Sequence, residues 1–203
     1  MSDIELITGA AVFAGEAHAG QVRKELNEPY IIHPLRVGKL AAQINQNEEF
    51  IAAMYLHDVV EDTNVPMETL QALFPERTVV LVHALTKWWE GKMTKEAYMA
   101  NKTGYYAQIL NTPGAVLGKV LDRVDNLHDF ARMARMAPSK HKWAAKYRDK
   151  TVDEFAALLP VLEEHVWPYH YYNDHLNEQS RHEHADKARN LFNVALSALE
   201  AAL

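Results

Sequence analysis

Apolar residues recur along this chain at helical spacing, and the polar residues between them fall into short breaks. Residues 4–19 set Ile4, Ile7, Val12 and Phe13 among alanines and glycines, the pattern of an amphipathic helix. Residues 20–33 interrupt it with Gly20, Asn27 and Pro29 and read as a loop. Pro34 begins the next helix, with Leu35, Val37, Leu40, Ala41 and Ile44 on its apolar positions and Asn45–Asn47 as its close. Phe50 to Val60 predicts one continuous, strongly apolar helix. Thr63–Pro66 is a turn, and a short helix runs from Pro66 through Leu73 to a stop at Pro75. TVVLVHAL (78–85) is β-branched enough for a buried strand, but no neighbouring segment offers it a strand partner, so helix is preferred. Residues 94–110 predict a helix ended by Thr112-Pro113-Gly114, and Ala115–Arg135 a long one without a breaker. Lys140–Glu164 is helical with a bend at Pro160, and a last helix runs from about Glu183 to Leu203 after a polar link beyond Trp167-Pro168. The expected fold is an all-α bundle of about eight to ten helices.

Composition narrows the classes of function. The 203 residues fit a single core, and a 48% hydrophobic share is enough to build one. With 27 acids against 21 bases the formal charge is −6, which gives no phosphate-seeking surface for nucleic acid. No cysteine is present, so disulfides and thiolate zinc sites are excluded. The opening MSDIELITGA lacks the basic and apolar regions of a signal peptide, and no apolar run approaches the ~20 residues of a spanning helix. The expectation is a cytoplasmic protein without membrane or nucleic-acid partners.

Eleven histidines stand out, and position decides among them. In His57-Asp58-Val59-Val60-Glu61-Asp62, helical spacing puts His57 under Glu61 and Asp58 under Asp62, with the two valines toward the core. Three acids this close repel one another, and a divalent cation relieves that repulsion. A solvated helix face is the usual explanation of such a cluster, but here the acids sit on an otherwise apolar helix. His33, held extended by Pro34, and Asp122, one turn before Asn126 on the long helix, complete a candidate metal site. Mixed imidazole and carboxylate donors suit manganese or iron better than magnesium or calcium. His18 and His83 read as core or rim positions within apolar helices, and His182 and His184 as helix surface. Trp88-Trp89 and the Tyr169–Tyr172 cluster read as packing aromatics.

These segments, in order HAGQVRKELNEPYIIHP, YLHDVVEDT, LTK and TPGAVLGKVLDRVDNL, resemble the hydrolase domain of the RelA/SpoT alarmone family, and most closely its small stand-alone hydrolases. The likeness runs from about Ala10 to about Leu162. It implies an HD-domain helical fold, taken here as residues 1–168; residues 169–203 read as a C-terminal helical extension packed on the same domain. It implies one manganese ion (Mn2+) held by His33, His57, Asp58 and Asp122, beside Glu61 and Asp62 as the catalytic pair. It implies that Arg23 and Lys24 contact the base and phosphates, that Asn126 faces the ribose and phosphates, and that Tyr147 contacts substrate. The implied activity is removal of the 3′-pyrophosphate of (p)ppGpp, giving GDP or GTP. An HD phosphohydrolase preferring (p)ppApp or NADPH, or a nucleotide-binding module without turnover, are the alternatives. The chain departs from the family pattern in the glycine-free loop Glu25-Leu26-Asn27-Glu28, in His128 where an arginine usually stands, in Trp88-Trp89, and in its C-terminal extension. The terminal helix either packs on the core, the preferred reading, or pairs two copies as a homodimer.

Overall fold

The computed structural model describes residues 3–24, 26–44, 47–88, 94–163 and 178–203. Its helices, in chain order, are α1 (Asp3–Ala17), α2 (Ile32–Ile44), α3 (Glu48–Leu56), α4 (Val59–Asp62), α5 (Met67–Leu73), α6 (Glu76–Leu85), α7 (Lys95–Asn111), α8 (Ala115–Met136), α9 (His141–Leu158) and α10 (Glu178–Glu200). Among the described residues no β-strand occurs, and the only extended pairing is an isolated antiparallel bridge between Val22 and Pro29. The fold is all-α. The β-branched run 78–85 lies inside α6, where Val79, Leu81 and Val82 are buried against neighbouring helices, so tertiary packing overrides its strand propensity. Trp89, Trp167-Pro168, the Tyr169–Tyr172 cluster and the expected helix stop at Asn45 lie outside the described residues.

Two helices organise the rest. Helix α3 starts at an Asn47 cap, whose side chain accepts a hydrogen bond from Phe50 N at 2.9 Å. It is buried along most of its length, through Phe50, Ile51, Ala52, Ala53, Met54 and Leu56, and packs against α1, α2 and α6. Gly38 lets α2 come close: a Cβ there would lie 2.5 Å from Tyr55 Cε1 of α3. Helix α8 follows Gly114, which takes a left-handed φ of 85° at the helix start, and touches α2, α6, α7, α9 and α10. Its apolar residues Leu117, Leu121, Val124 and Leu127 are fully buried. So are the charged residues Lys119, Asp122, Asp125 and Asp129, each under 8% exposed. Helices bury charge only against partners, and those partners turn out to be the candidate site.

Three local expectations need correction. Phe50–Val60 is not one helix: α3 ends at Leu56, His57 and Asp58 form a turn, and α4 begins at Val59. The break contains neither glycine nor proline, so periodicity cannot reveal it. Asp58 stands at the N-cap of α4 yet makes no cap hydrogen bond, because its carboxylate is drawn into the side-chain cluster described below. His33 is helical, not extended, since α2 begins at Ile32 and not at Pro34. A proline in the first turn lacks only an N–H that would have no intrahelical acceptor there, so the helix can start before it. His18 sits in the turn after α1 and not within a helix, although it is buried as expected.

Helix α10 lies along α8 and also meets α9, where Phe155 and Phe192 stack with centroids 4.7 Å apart. No described helix is long and apolar enough to cross a membrane. Phe155 is 1% exposed, so Phe155→Ala is expected to cost about 3–5 kcal/mol of stability. Val194→Ala, on the exposed side of α10, should stay within about 0.5 kcal/mol. Denaturant unfolding of both variants checks this, and equal losses would contradict the packing.

Candidate metal centre and its cavity

The turn between α3 and α4 faces the first turn of α2 and the middle of α8. A cavity of about 180 Å³ opens there, with His33, His57, Asp58 and Asp122 in its wall. His33, His57 and Asp58 each offer a ligand atom, and these atoms lie within 4.8 Å of one another. Asp122 is not among these three, but its Oδ1 is 3.4 Å from His33 Nε2, as is Asp58 Oδ2.

Hydrogen bonds on the outer nitrogens set the two imidazoles. His33 Nδ1 donates to Asp125 Oδ2 at 2.7 Å, and His57 Nδ1 donates to the Met54 carbonyl at 2.8 Å. Each ring therefore turns Nε2 inward. His57 Nε2 is buried with no hydrogen-bond partner, 3.3 Å from Asp58 Oδ1. A buried lone pair without a donor is costly. Two imidazole nitrogens and a carboxylate, each ring fixed from behind, match what a transition-metal ion needs, and the residues present fit one.

Electrostatics point the same way. Burial alone would lower the His33 pKa, but Asp122, Asp125 and Asp58 outweigh it and raise it well above the ordinary value. Burial would raise Asp122, yet Lys119, His33 and Arg123 hold it well below the usual carboxylate range. Asp58 is likewise held down against burial by His57 and His33. Without an ion, a proton on His33 neutralises these carboxylates.

The sequence-predicted catalytic pair is in the same wall. Glu61 is gripped by Lys87, whose backbone N–H donates to Oε2 at 3.0 Å and whose ammonium donates to Oε1. The Tyr30 hydroxyl lies between Asp58 Oδ2, at 2.7 Å, and Asp62 Oδ2, which it also meets. Burial and then those two carboxylates push the Tyr30 phenol far up, so it acts as a donor. Gln21 Nε2 donates to the Asp62 carbonyl at 2.7 Å, and His18, stacked on Tyr30, bonds Gln21 in turn.

Among the expected substrate contacts, two reach the cavity and two do not. Arg23 and Asn126 line it, with Arg23 Nη2 donating to Asn126 Oδ1 at 2.7 Å and to buried Asp129 at 3.1 Å. Asn126 in turn donates to Asp122 through its amide nitrogen. Lys24 is exposed and lies outside the cavity wall. Tyr147 is also outside it, stacked on Phe130 and accepting from Arg123 Nη1 at 3.0 Å. Sequence reasoning missed Tyr30, Lys87, Lys119, Arg123 and Asp125. Spacing held a signal for two of them: Lys119 lies three residues before Asp122 and Asp125 three after it, on one helical face, whereas Tyr30 stands in the turn ahead of α2. Lys119 Nζ donates to Asp122 Oδ2 at 2.8 Å.

Residues 10–158 match the HD domain, and the chain belongs to that family. It is 36% identical over 159 residues to a probable guanosine-3′,5′-bis(diphosphate) 3′-pyrophosphohydrolase of Synechocystis, a match covering 77% of this chain and 20% of that protein. It is 40% identical over 126 residues to the guanosine-3′,5′-bis(diphosphate) 3′-pyrophosphohydrolase of Aquifex aeolicus, covering 61% of this chain and 17% of that one. The chain thus spans about a fifth of the length of these relatives. Its fold is similar to that of a metazoan orthologue of SpoT that hydrolyses ppGpp, with a TM-score of 0.51, 20% identity, and coverage of 98% of this chain and 91% of that one.

A divalent ion held by these residues would displace the proton that the carboxylates keep on His33. Metal affinity is therefore expected to rise with pH, and uptake near neutral pH to release a proton. Calorimetry of manganese binding in buffers of different ionisation enthalpy measures that release. A binding heat independent of buffer would contradict it.

Proposed function

We propose that the protein is a manganese-dependent hydrolase that removes the 3′-pyrophosphate of (p)ppGpp, yielding GDP or GTP and pyrophosphate. One observation carries this reading: two inward imidazole nitrogens and the Asp58 carboxylate converge in a cavity that also holds Glu61, Asp62 and a wall of cations. The family match and the relatives' names support it. His33, His57, Asp58 and Asp122 would hold the ion. When bound, it supplies Lewis-acid polarisation and a hydroxide-like nucleophile at neutral pH.

The chain's own residues supply the rest. Glu61 and Asp62 sit where they can orient a water and take its proton, each already fixed by a donor, Lys87 or Tyr30. The water oxygen bonds to the phosphorus nearest the ribose, and the bond from that phosphorus to the ribose 3′ oxygen breaks. The 3′ oxygen takes a proton, and pyrophosphate leaves. Lys87, Lys119, Arg123 and Arg23 surround that point and stabilise charge developing on phosphate oxygens. A cavity of about 180 Å³ is smaller than a typical small-molecule site of roughly 300–1,000 Å³. It suits the reacting diphosphate, with the nucleoside lying at its mouth. In the loop 20–31, Glu28 forks onto Arg132 at 2.6 Å, so this acid is engaged away from the base. Residues 1–168 form the hydrolase unit in this reading and residues 169–203 extend it, with α10 lying along α8.

The test incubates the chain with ppGpp, ppApp and NADPH under manganese, magnesium or chelator, and resolves products by chromatography. GDP and pyrophosphate from ppGpp with manganese, and none with chelator, is the expected result. No turnover of ppGpp with either metal, or turnover that survives chelation, would sink the proposal. Glu61→Gln with Asp62→Asn should lower kcat by at least ~100-fold while manganese still binds. A nucleotide-binding module without turnover would show no such change.

A further inference from the structure

Behind the metal cluster, on the outer side of α2 and α8, lies a second and larger concavity of about 500 Å³. Its rim carries Arg36, Lys39, Arg132 and Arg135, with His128 beside them and Leu40 in its floor. A chain of net charge −6 would not gather four cations here by its average composition. The two acids in the lining, Asp125 and Asp129, pair with Arg36 and Arg132, and among the described residues Lys39 and Arg135 face no carboxylate. Asp125 is also claimed by His33 and Asp129 by Arg23, both from the far side. Arg36 bonds both acids through Nε and Nη2, which leaves Nη1 for a ligand. Arg132 is matched by Glu28, and Arg135 donates to the Ala198 carbonyl. Lys39 and His128 are exposed and take part in no ion pair among the described residues.

We propose that this groove is a second ligand site, distinct from the catalytic cavity, that binds a polyphosphate anion. Three guanidinium groups and one ammonium around one concavity are the chemistry that recognises phosphate oxygens. The volume lies in the range of small-molecule sites. The anion comes either from a nucleoside triphosphate, whose ring would rest on Leu40, or from free inorganic polyphosphate. Arg36 is shared between the groove and Asp125, the group that orients His33, so the new site backs directly onto the metal cluster. The proposal does not depend on the catalytic reading.

The experiment titrates the full chain, in chelator and low salt, with GTP and with inorganic triphosphate, by calorimetry. Both should bind without metal and weaken as salt is raised. Lys39→Glu with His128→Glu should weaken both at least tenfold, Lys39→Arg with His128→Arg should retain them, and the cavity variant Lys87→Ala should bind as the parent does. Tighter GTP than triphosphate assigns the site to a nucleotide, and equal affinities to the phosphate chain alone. Absence of binding, parent-like binding by the charge-reversed variant when its melting is unchanged, or loss of all binding in Lys87→Ala overturns the second site.

Discussion

The structure depends on two hydrogen bonds that face away from the cavity: His33 Nδ1 to Asp125 and His57 Nδ1 to the Met54 carbonyl. They hold a proton on Nδ1 of each ring and set where Nε2 points. Asp125 is held by Arg36 as well as by His33, and the Met54 carbonyl is available because α3 stops at Leu56. A helix continuing through His57 and Asp58 would point these side chains along its own surface. The turn swings them toward α2 and α8.

Buried charge on α8 is the cost of this arrangement. Asp122, Asp125 and Asp129 lie on one face, and each is matched by cations from the same helix or from the loop and α2. Removing one member of such a buried set leaves an uncompensated charge, which costs about 3–5 kcal/mol. The cluster thus ties three stretches of sequence together. Arg23 and Glu28 pin the loop to α8, and Arg36 pins α2 to it. Fold and site share these contacts, so the candidate metal ligands cannot drift apart without breaking ion pairs in the core.

Much of this was legible in the chain. The apolar period gave every long helix, because packing of an apolar stripe is what stabilises them. The pairs His57-Asp58 and Glu61-Asp62 were readable because acids on an apolar stretch demand a partner. What escaped was set by tertiary contact. The break at His57 carries no glycine or proline. The α2 start ahead of Pro34 depends on how the loop 20–31 folds back. Lys24 follows Arg23 directly in sequence, yet the backbone bonds that close the loop leave Arg23 buried and Lys24 exposed. The roles of Tyr30, Lys87 and Lys119 become visible only once three segments meet.

The central claim is that His33, His57 and Asp58 bind one cation through their inward-facing atoms. Anomalous diffraction at the manganese edge from crystals of the manganese-loaded chain tests it most directly. The account predicts one strong peak within coordination distance of both Nε2 atoms and the Asp58 carboxylate. A peak elsewhere, or none at this point in a chain shown to be folded and saturated with manganese, would contradict it.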